Sequence, residues 1–223
     1  MTMLTRTLIE ARLPLTVAAG AQPATVPEAE LRRGMKRVLD ERRAADGIWV
    51  FAYGALIWEN GFAHDAARAG TVQGLVRRYC IWDNRNRGTV EQPALTLGLD
   101  RQPGACGGVA FHLAEDRVQE ALWTVWKQEM SGGYYTAGWV DAATEAGPVA
   151  AVTFVADPRH PFYAGAVPES ETVDLLAAGV GPDGTAASYL LQTADALRGW
   201  GIPDTELERL EAAVARRLGA AHG

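Results

Sequence analysis

Trp49-Val50-Phe51-Ala52-Tyr53-Gly54-Ala55-Leu56-Ile57-Trp58 opens on an apolar run, breaks at a Tyr-Gly pair and turns apolar again at once. A short apolar run bounded by glycine predicts a buried strand over residues 49–53 that ends in a tight turn. A turn just after a buried strand leaves backbone N–H groups without ladder partners. Several of them aimed into one small volume make an anion or oxyanion receptor. On pattern alone a second account stands beside the first: a core strand whose glycine is required by packing.

Outward from this stretch, residues 48–155 are strand-rich. Strands are predicted over 49–53, 72–79, 95–99, 107–113, 134–140 and 149–155, with turn residues between them. Several short strands with glycines at the bends suggest a small barrel or a strongly curved sheet. Trp82-Asp83-Asn84-Arg85-Asn86-Arg87-Gly88-Thr89 is too long and charged for a tight hairpin and reads as a surface loop, a common place for binding residues. Beyond Val155 the composition changes, and helices are predicted over 170–178, 185–198 and 205–218, punctuated by Gly-Pro-Asp-Gly and Gly-Ile-Pro-Asp. Upstream, residues 1–24 carry a weak helical pattern (Leu4, Leu8, Ile9, Leu13) and then a linker. Thr25-Val26-Pro27-Glu28 reads as a capping box. Leu31, Met35, Val38 and Leu39 mark a helix face that ends near Asp46-Gly47. Residues 1–47 are therefore taken as a helical extension packed on a main body of residues 48–223. The class is α+β.

With 223 residues, 48% hydrophobic and 22% charged, the chain fits one soluble domain, or one domain with an appendage. A net charge of -6 argues against nucleic-acid and anionic-membrane partners, which need basic clusters. The pairs Arg32-Arg33, Arg42-Arg43 and Arg77-Arg78 read as solvated faces or local ion pairs. Cys80 and Cys106 make no CxxC, and His64, His112, His160 and His222 show no ligand spacing, so neither a disulfide framework nor a structural metal is expected. No stretch approaches the roughly 20 apolar residues of a membrane helix. The N-terminus lacks an apolar signal core, and the expected compartment is the cytoplasm.

One helix interrupts the strands. Glu115 and Asp116 suit its N-terminal dipole, and Val118, Leu122 and Val125 follow at spacings of 4 and 3, widened by Trp126. A further step of 4 lands on Glu129, which puts its carboxylate on the apolar face and in the last turn, before Ser131-Gly132-Gly133-Tyr134. Burial and the helix dipole both push such a carboxyl pKa up, towards a value useful to a general base near neutral pH. A terminal glutamate that frays to solvent or pairs with an arginine is the competing account. Other chemistry has less support. There is no GxSxG, no Walker loop and no GxGxxG after a strand, and neither cysteine has an evident base. Glu59 and Glu91 keep paired-carboxylate hydrolysis formally open, but Glu59 lies in a polar turn and Glu91 beside Gln92-Pro93, and both are read as solvated.

The ordered set of motifs resembles the ChaC-type, glutathione-specific γ-glutamylcyclotransferases. The opening stretch resembles the family's first strand and Tyr-Gly-Ser-Leu turn. The likeness continues through Gly74-Leu75-Val76-Arg77-Arg78-Tyr79, Arg87-Gly88-Thr89, Gly107-Gly108-Val109-Ala110-Phe111, Glu129-Met130-Ser131-Gly132-Gly133-Tyr134 and Gly181-Pro182-Asp183-Gly184, with Tyr189-Leu190. It covers residue 48 to the end. The resemblance implies a small mixed β-barrel of the γ-glutamylcyclotransferase-like type with flanking helices, no cofactor, and release of 5-oxoproline from a γ-glutamyl peptide, with Cys-Gly when the substrate is glutathione. It implies Glu129 as the catalytic acid/base and Tyr53, Gly54, Ala55 and Leu56 as the turn that offers N–H groups to substrate. Tyr134 and Tyr189 would line the pocket, and Arg87 is a candidate for a substrate carboxylate. Ala55 departs from the family's serine. If the turn acts through its backbone, the alanine keeps the N–H group and loses only a hydroxyl. Two alternatives stay open: a cyclotransferase for other γ-glutamyl amino acids or amines, and a non-catalytic γ-glutamyl-binding module.

Overall fold

The computed structural model describes residues 25–41 and 47–220, together with 3–5, 7 and 9. The architecture is α+β, as expected: a closed five-stranded barrel, β1 (Ile48–Ala52), β2 (His64–Asp83), β3 (Ala94–Leu113), β4 (Tyr135–Thr144) and β5 (Gly147–Ala156), in the order β1-β3-β2-β4-β5. β1 is antiparallel to β3 and parallel to β5, so the barrel is mixed. Every residue of β1 is buried, which is why its sequence shows no apolar–polar alternation. Helices α1 (Glu28–Asp40), α2 (Val118–Met130), α3 (Glu169–Ala178), α4 (Ala186–Gly199) and α5 (Thr205–Ala220) flank it, and a two-stranded ribbon, β6 (Val180–Gly181) with β7 (Gly184–Thr185), precedes α4. No described helix is long and apolar enough to cross a membrane.

The main departures from expectation lie in β2 and β3. The two predicted strands at 95–99 and 107–113 are one strand, and β2 begins at His64 rather than at residue 72. Asp100–Ala105 looks like a turn in sequence. Here it bulges out of a continuing ladder, because Gln73 pairs with Ala105 and Leu75 with Arg101. Pro103 falls in the bulge, where a missing N–H costs no ladder bond. His64–Gly70 lacks an apolar alternation and is held in register by β3 instead.

The capping box predicted at Thr25–Glu28 does not form. Pro27 takes the N-cap position without a side-chain bond, and the N–H groups of Glu30 and Leu31 close on its carbonyl. α1 also stops at Asp40 rather than near Asp46-Gly47. Its Leu31 and Val38 are buried, and the helix lies against α2 and β4. Val26 N–H donates to the Ser131 carbonyl and the Trp139 indole to the Val38 carbonyl. Most of the pattern predicted over 1–24, and the Arg42-Arg43 pair, lie outside the described residues; Leu4 and Ile9 are buried.

Candidate active site

β1 delivers the Tyr53–Ile57 turn into one end of the barrel. A single 3-10 turn follows (Ala55–Ile57), in which the N–H groups of Ile57, Trp58 and Glu59 bond back to the carbonyls of Gly54 and Ala55. The first N–H groups of such a turn have no partner within it. They belong to Gly54, Ala55 and Leu56, all of which line a cavity of about 210 Å³. Gly54 leaves room for the Tyr189 hydroxyl, since a Cβ there would sit 2.9 Å from it. That hydroxyl, carried on α4, lies against the Thr96 hydroxyl and the Ala55 backbone.

The turn is pinned from behind. Arg77 of β2, buried at 7% exposure, donates through Nε to the Tyr53 carbonyl at 2.6 Å. Its two amino groups go to Asp204 and to the Gly107 carbonyl. Asp204 in turn accepts the Leu207 N–H at 2.9 Å at the start of α5. The expectation that Arg77 is solvated or locally paired is therefore corrected: it is a buried link between the turn and the last helix.

Opposite the turn, α2 buries Leu122, Val125 and Trp126 and carries Glu129 in its last turn. The Glu129 side chain keeps some open surface, and that surface faces the cavity. Enclosure by the protein, and secondarily the charge of Glu59, push its pKa up to about 8. The second cause was not visible in sequence. Tyr53 and Tyr135 are buried in the cavity lining, their hydroxyls donating to the carbonyls of Phe154 (2.8 Å) and Leu97 (2.6 Å). The Tyr134 ring meets that of Tyr135 edge-on at 4.7 Å. Gly132 makes this possible, because a Cβ there would collide with the Tyr134 ring.

The loop after β2 is not the surface loop expected. Asp83 is buried, and its carboxylate accepts the N–H groups of Arg85, Asn86 and Arg87 at 3.1, 2.8 and 2.9 Å. This folds the loop back over the cavity and buries Arg87. One Arg87 amino group, Nη1, donates to the Asp183 carbonyl, and the guanidinium lies 5.8 Å from the Tyr189 ring centre and 6.0 Å from that of Trp58. Tyr53, Gly54, Ala55, Leu56, Arg87, Glu129, Tyr134 and Tyr189 all line the one cavity. Sequence reasoning missed Tyr135 and Asp183 there, although Gly181-Pro182-Asp183-Gly184 already stood out as a motif. It also set Glu59 aside as solvated; the residue is exposed, as expected, but it stands on the rim of the same cavity. Among the described residues no three His, Cys, Asp or Glu side chains cluster as metal ligands.

The model of ChaC-like proteins matches residues 48–217, about three-quarters of the chain. This chain belongs to the ChaC-like family. The glutathione-specific gamma-glutamylcyclotransferase of Escherichia coli K12 is 34% identical over 172 residues, 77% of this chain and 74% of that protein. The mouse glutathione-specific gamma-glutamylcyclotransferase 1 is 35% identical over 172 residues, 75% of this chain and 76% of that one. The fold likeness extends to the crystal structure of the selenomethionine-labelled, glutathione-specific γ-glutamyl cyclotransferase from yeast. That chain superposes with a TM-score of 0.70 at 19% identity, covering 77% of this chain and 96% of its own. In this ChaC-like protein the matched segment begins at β1 and leaves α1 outside it.

Proposed function

We propose that this ChaC-like protein is a cofactor-independent lyase that cleaves glutathione to 5-oxoproline and Cys-Gly, with catalysis in residues 48–223 and residues 1–47 as a helical extension. The observation that carries the reading is one cavity with the Gly54–Leu56 turn on one wall and Glu129, its pKa pushed up to about 8, on the other. A carboxyl group with that pKa is split between its acid and base forms near neutral pH, as a group that must both take and return a proton requires.

The proposed reaction needs no second substrate. Glu129 takes a proton from the substrate's α-ammonium, and the freed amine attacks the γ-carbonyl carbon of the same residue. A C–N bond forms and closes the five-membered ring. N–H groups of the Gly54–Leu56 turn stabilise the charge that develops on the carbonyl oxygen. Glu129 hands its proton to the departing nitrogen and takes a second one from the positively charged ring nitrogen. The intermediate then expels the cysteinyl amine, which carries that second proton away as an ammonium and leaves Glu129 ionised again. Nucleophile and carbonyl share one residue, so holding the γ-glutamyl group curled accounts for much of the rate. Tyr134 and Tyr189 confine that group, and Arg87 takes a substrate carboxylate. Ala55 fits this scheme because the turn acts through its backbone. The cytoplasm, with a small soluble substrate, is the assigned setting.

Incubation of the purified protein with glutathione and quantification of 5-oxoproline tests the proposal. Turnover of another γ-glutamyl compound but not glutathione moves the assignment to a related cyclotransferase. Glutathione binding without any turnover leaves a binding module.

A further inference from the structure

Glu59 is a cavity carboxylate with a charged partner and no part in the reaction above. It comes from the end of the 3-10 turn, and its side chain is 44% exposed at the open side of the cavity. One of its oxygens accepts from Gln128 Nε2 at 3.2 Å, and the other stands 3.8 Å from Arg87 Nη2. Gln128 precedes Glu129 on α2, so Glu59 bridges the loop of Arg87 and the helix of the proposed base across the rim. Arg87 Nη1 is committed to the Asp183 carbonyl, which leaves Nη2 as the amino group turned to a carboxylate. At 3.8 Å the Glu59 contact is an ion pair too long for a hydrogen bond, and a half-exposed pair of this kind is a weak competitor.

We propose that Glu59 is a selectivity residue for this pocket: it occupies Arg87 in the free protein, and a substrate carboxylate must displace it. This rests on the γ-glutamyl pocket assigned above. Glutathione brings two carboxylates, so the fixed charge of Glu59 opposes binding while it holds Arg87 in place. Glu59 has a second effect on the chemistry. Glu129 is faced by Glu59, by Tyr53 from β1, by Tyr134 and Tyr135 at the start of β4, and by Tyr189 from α4. Burial keeps the four tyrosines un-ionised at neutral pH. Glu59 is thus the neighbouring charge that lifts the Glu129 pKa beyond what enclosure alone does.

The test is Glu59→Gln, which keeps an acceptor for Gln128 and removes the charge. The expected result is a KM for glutathione lowered about two- to fivefold, the range of an exposed ion pair. The acidic limb of kcat/KM against pH should also move to lower pH. Glu59→Asp keeps the charge but withdraws it from Arg87, so it should lower KM while the limb stays near that of wild type. It carries the KM test if thermal unfolding shows that the Gln variant does not fold. Repeating the measurement with glutathione amidated at glycine identifies the carboxylate involved: a KM gain with both substrates points to the α-carboxylate, and a gain with glutathione alone to the glycyl one. A KM unchanged or raised in both variants overturns the proposal, even where the limb has moved. If the wild type binds glutathione without turnover, the cyclotransferase reading fails separately, and calorimetric affinities of wild type and Glu59→Gln still decide the role of Glu59.

Discussion

Glu129 holds a charge-bearing group where the fold would rather have a neutral one, and this conflict makes it testable from two directions. Glu129→Gln should keep glutathione affinity by calorimetry and lose about 10²- to 10⁴-fold in kcat, the usual contribution of a positioned acid–base group. The stability effect has the opposite sign. The folded-state pKa, about 8, lies above the ordinary carboxyl range, so the fold favours the protonated form. The stabilisation is complete below that ordinary range and is lost as pH rises through about 8. Gln mimics the neutral acid, so the Tm advantage of Glu129→Gln over wild type should widen between about pH 5 and about pH 9. Equal Tm at every pH would count against the raised pKa. Ala55→Ser tests the backbone reading of the turn, with kcat/KM expected to stay within about threefold of wild type, because a side chain with no required partner changes little. A gain of tenfold or more would return the binding role to the hydroxyl. The position of Glu129 was legible because Val118, Leu122, Val125 and Trp126 set the helical phase. Its neighbour Glu59 was not, because the turn at one wall and the last turn of α2 must meet before the two carboxylates share a cavity.

Among the elements, the 3-10 turn is where strand, loop and helix are tied together, and Arg77 is the tie. It reaches the Tyr53 carbonyl, the Gly107 carbonyl on β3 and Asp204 at the head of α5. Arg77→Met removes one partner of a buried ion pair, strands Asp204 and frees the carbonyl behind the turn. Urea denaturation should show a loss of about 3–5 kcal/mol, as for other broken buried pairs. Arg77→Lys should recover only part of it, since a single ammonium cannot serve three directions at once. A loss below about 1 kcal/mol would mean that the tie is ornamental, since that is the worth of an exposed pair. Local pattern encodes β1, α2 and the C-terminal helices, whose periodicities repeat within a few residues. It does not encode a partner 127 residues away. The same limit explains the single long β3: its bulged middle is strand only because β2 continues beside it.

At the scale of the whole molecule, α1 lies outside the segment that the ChaC-like model matches, yet it packs on the helix that carries Glu129. Gly34 brings α1 close enough that a Cβ there would sit 3.2 Å from the Trp126 ring. Arg32 stacks over Trp123 at 4.3 Å, and Val26 N–H holds the Ser131 carbonyl two residues beyond Glu129. α1 thus braces the helix that carries the proposed base, and no described residue of α1 lines the cavity. A chain that begins at Arg42 uncovers the surface buried by Leu31 and Val38, worth about 1.5–3 kcal/mol for each side chain. It should unfold at lower temperature, with a stability loss of about 3–6 kcal/mol. Its kcat should fall while KM changes little, because the loosened element carries the acid–base group rather than the turn or Arg87. If the shortened chain matches the full protein in Tm and kcat, α1 is only an attachment. If KM rises and kcat does not, the extension acts on substrate binding, and the bracing role is wrong.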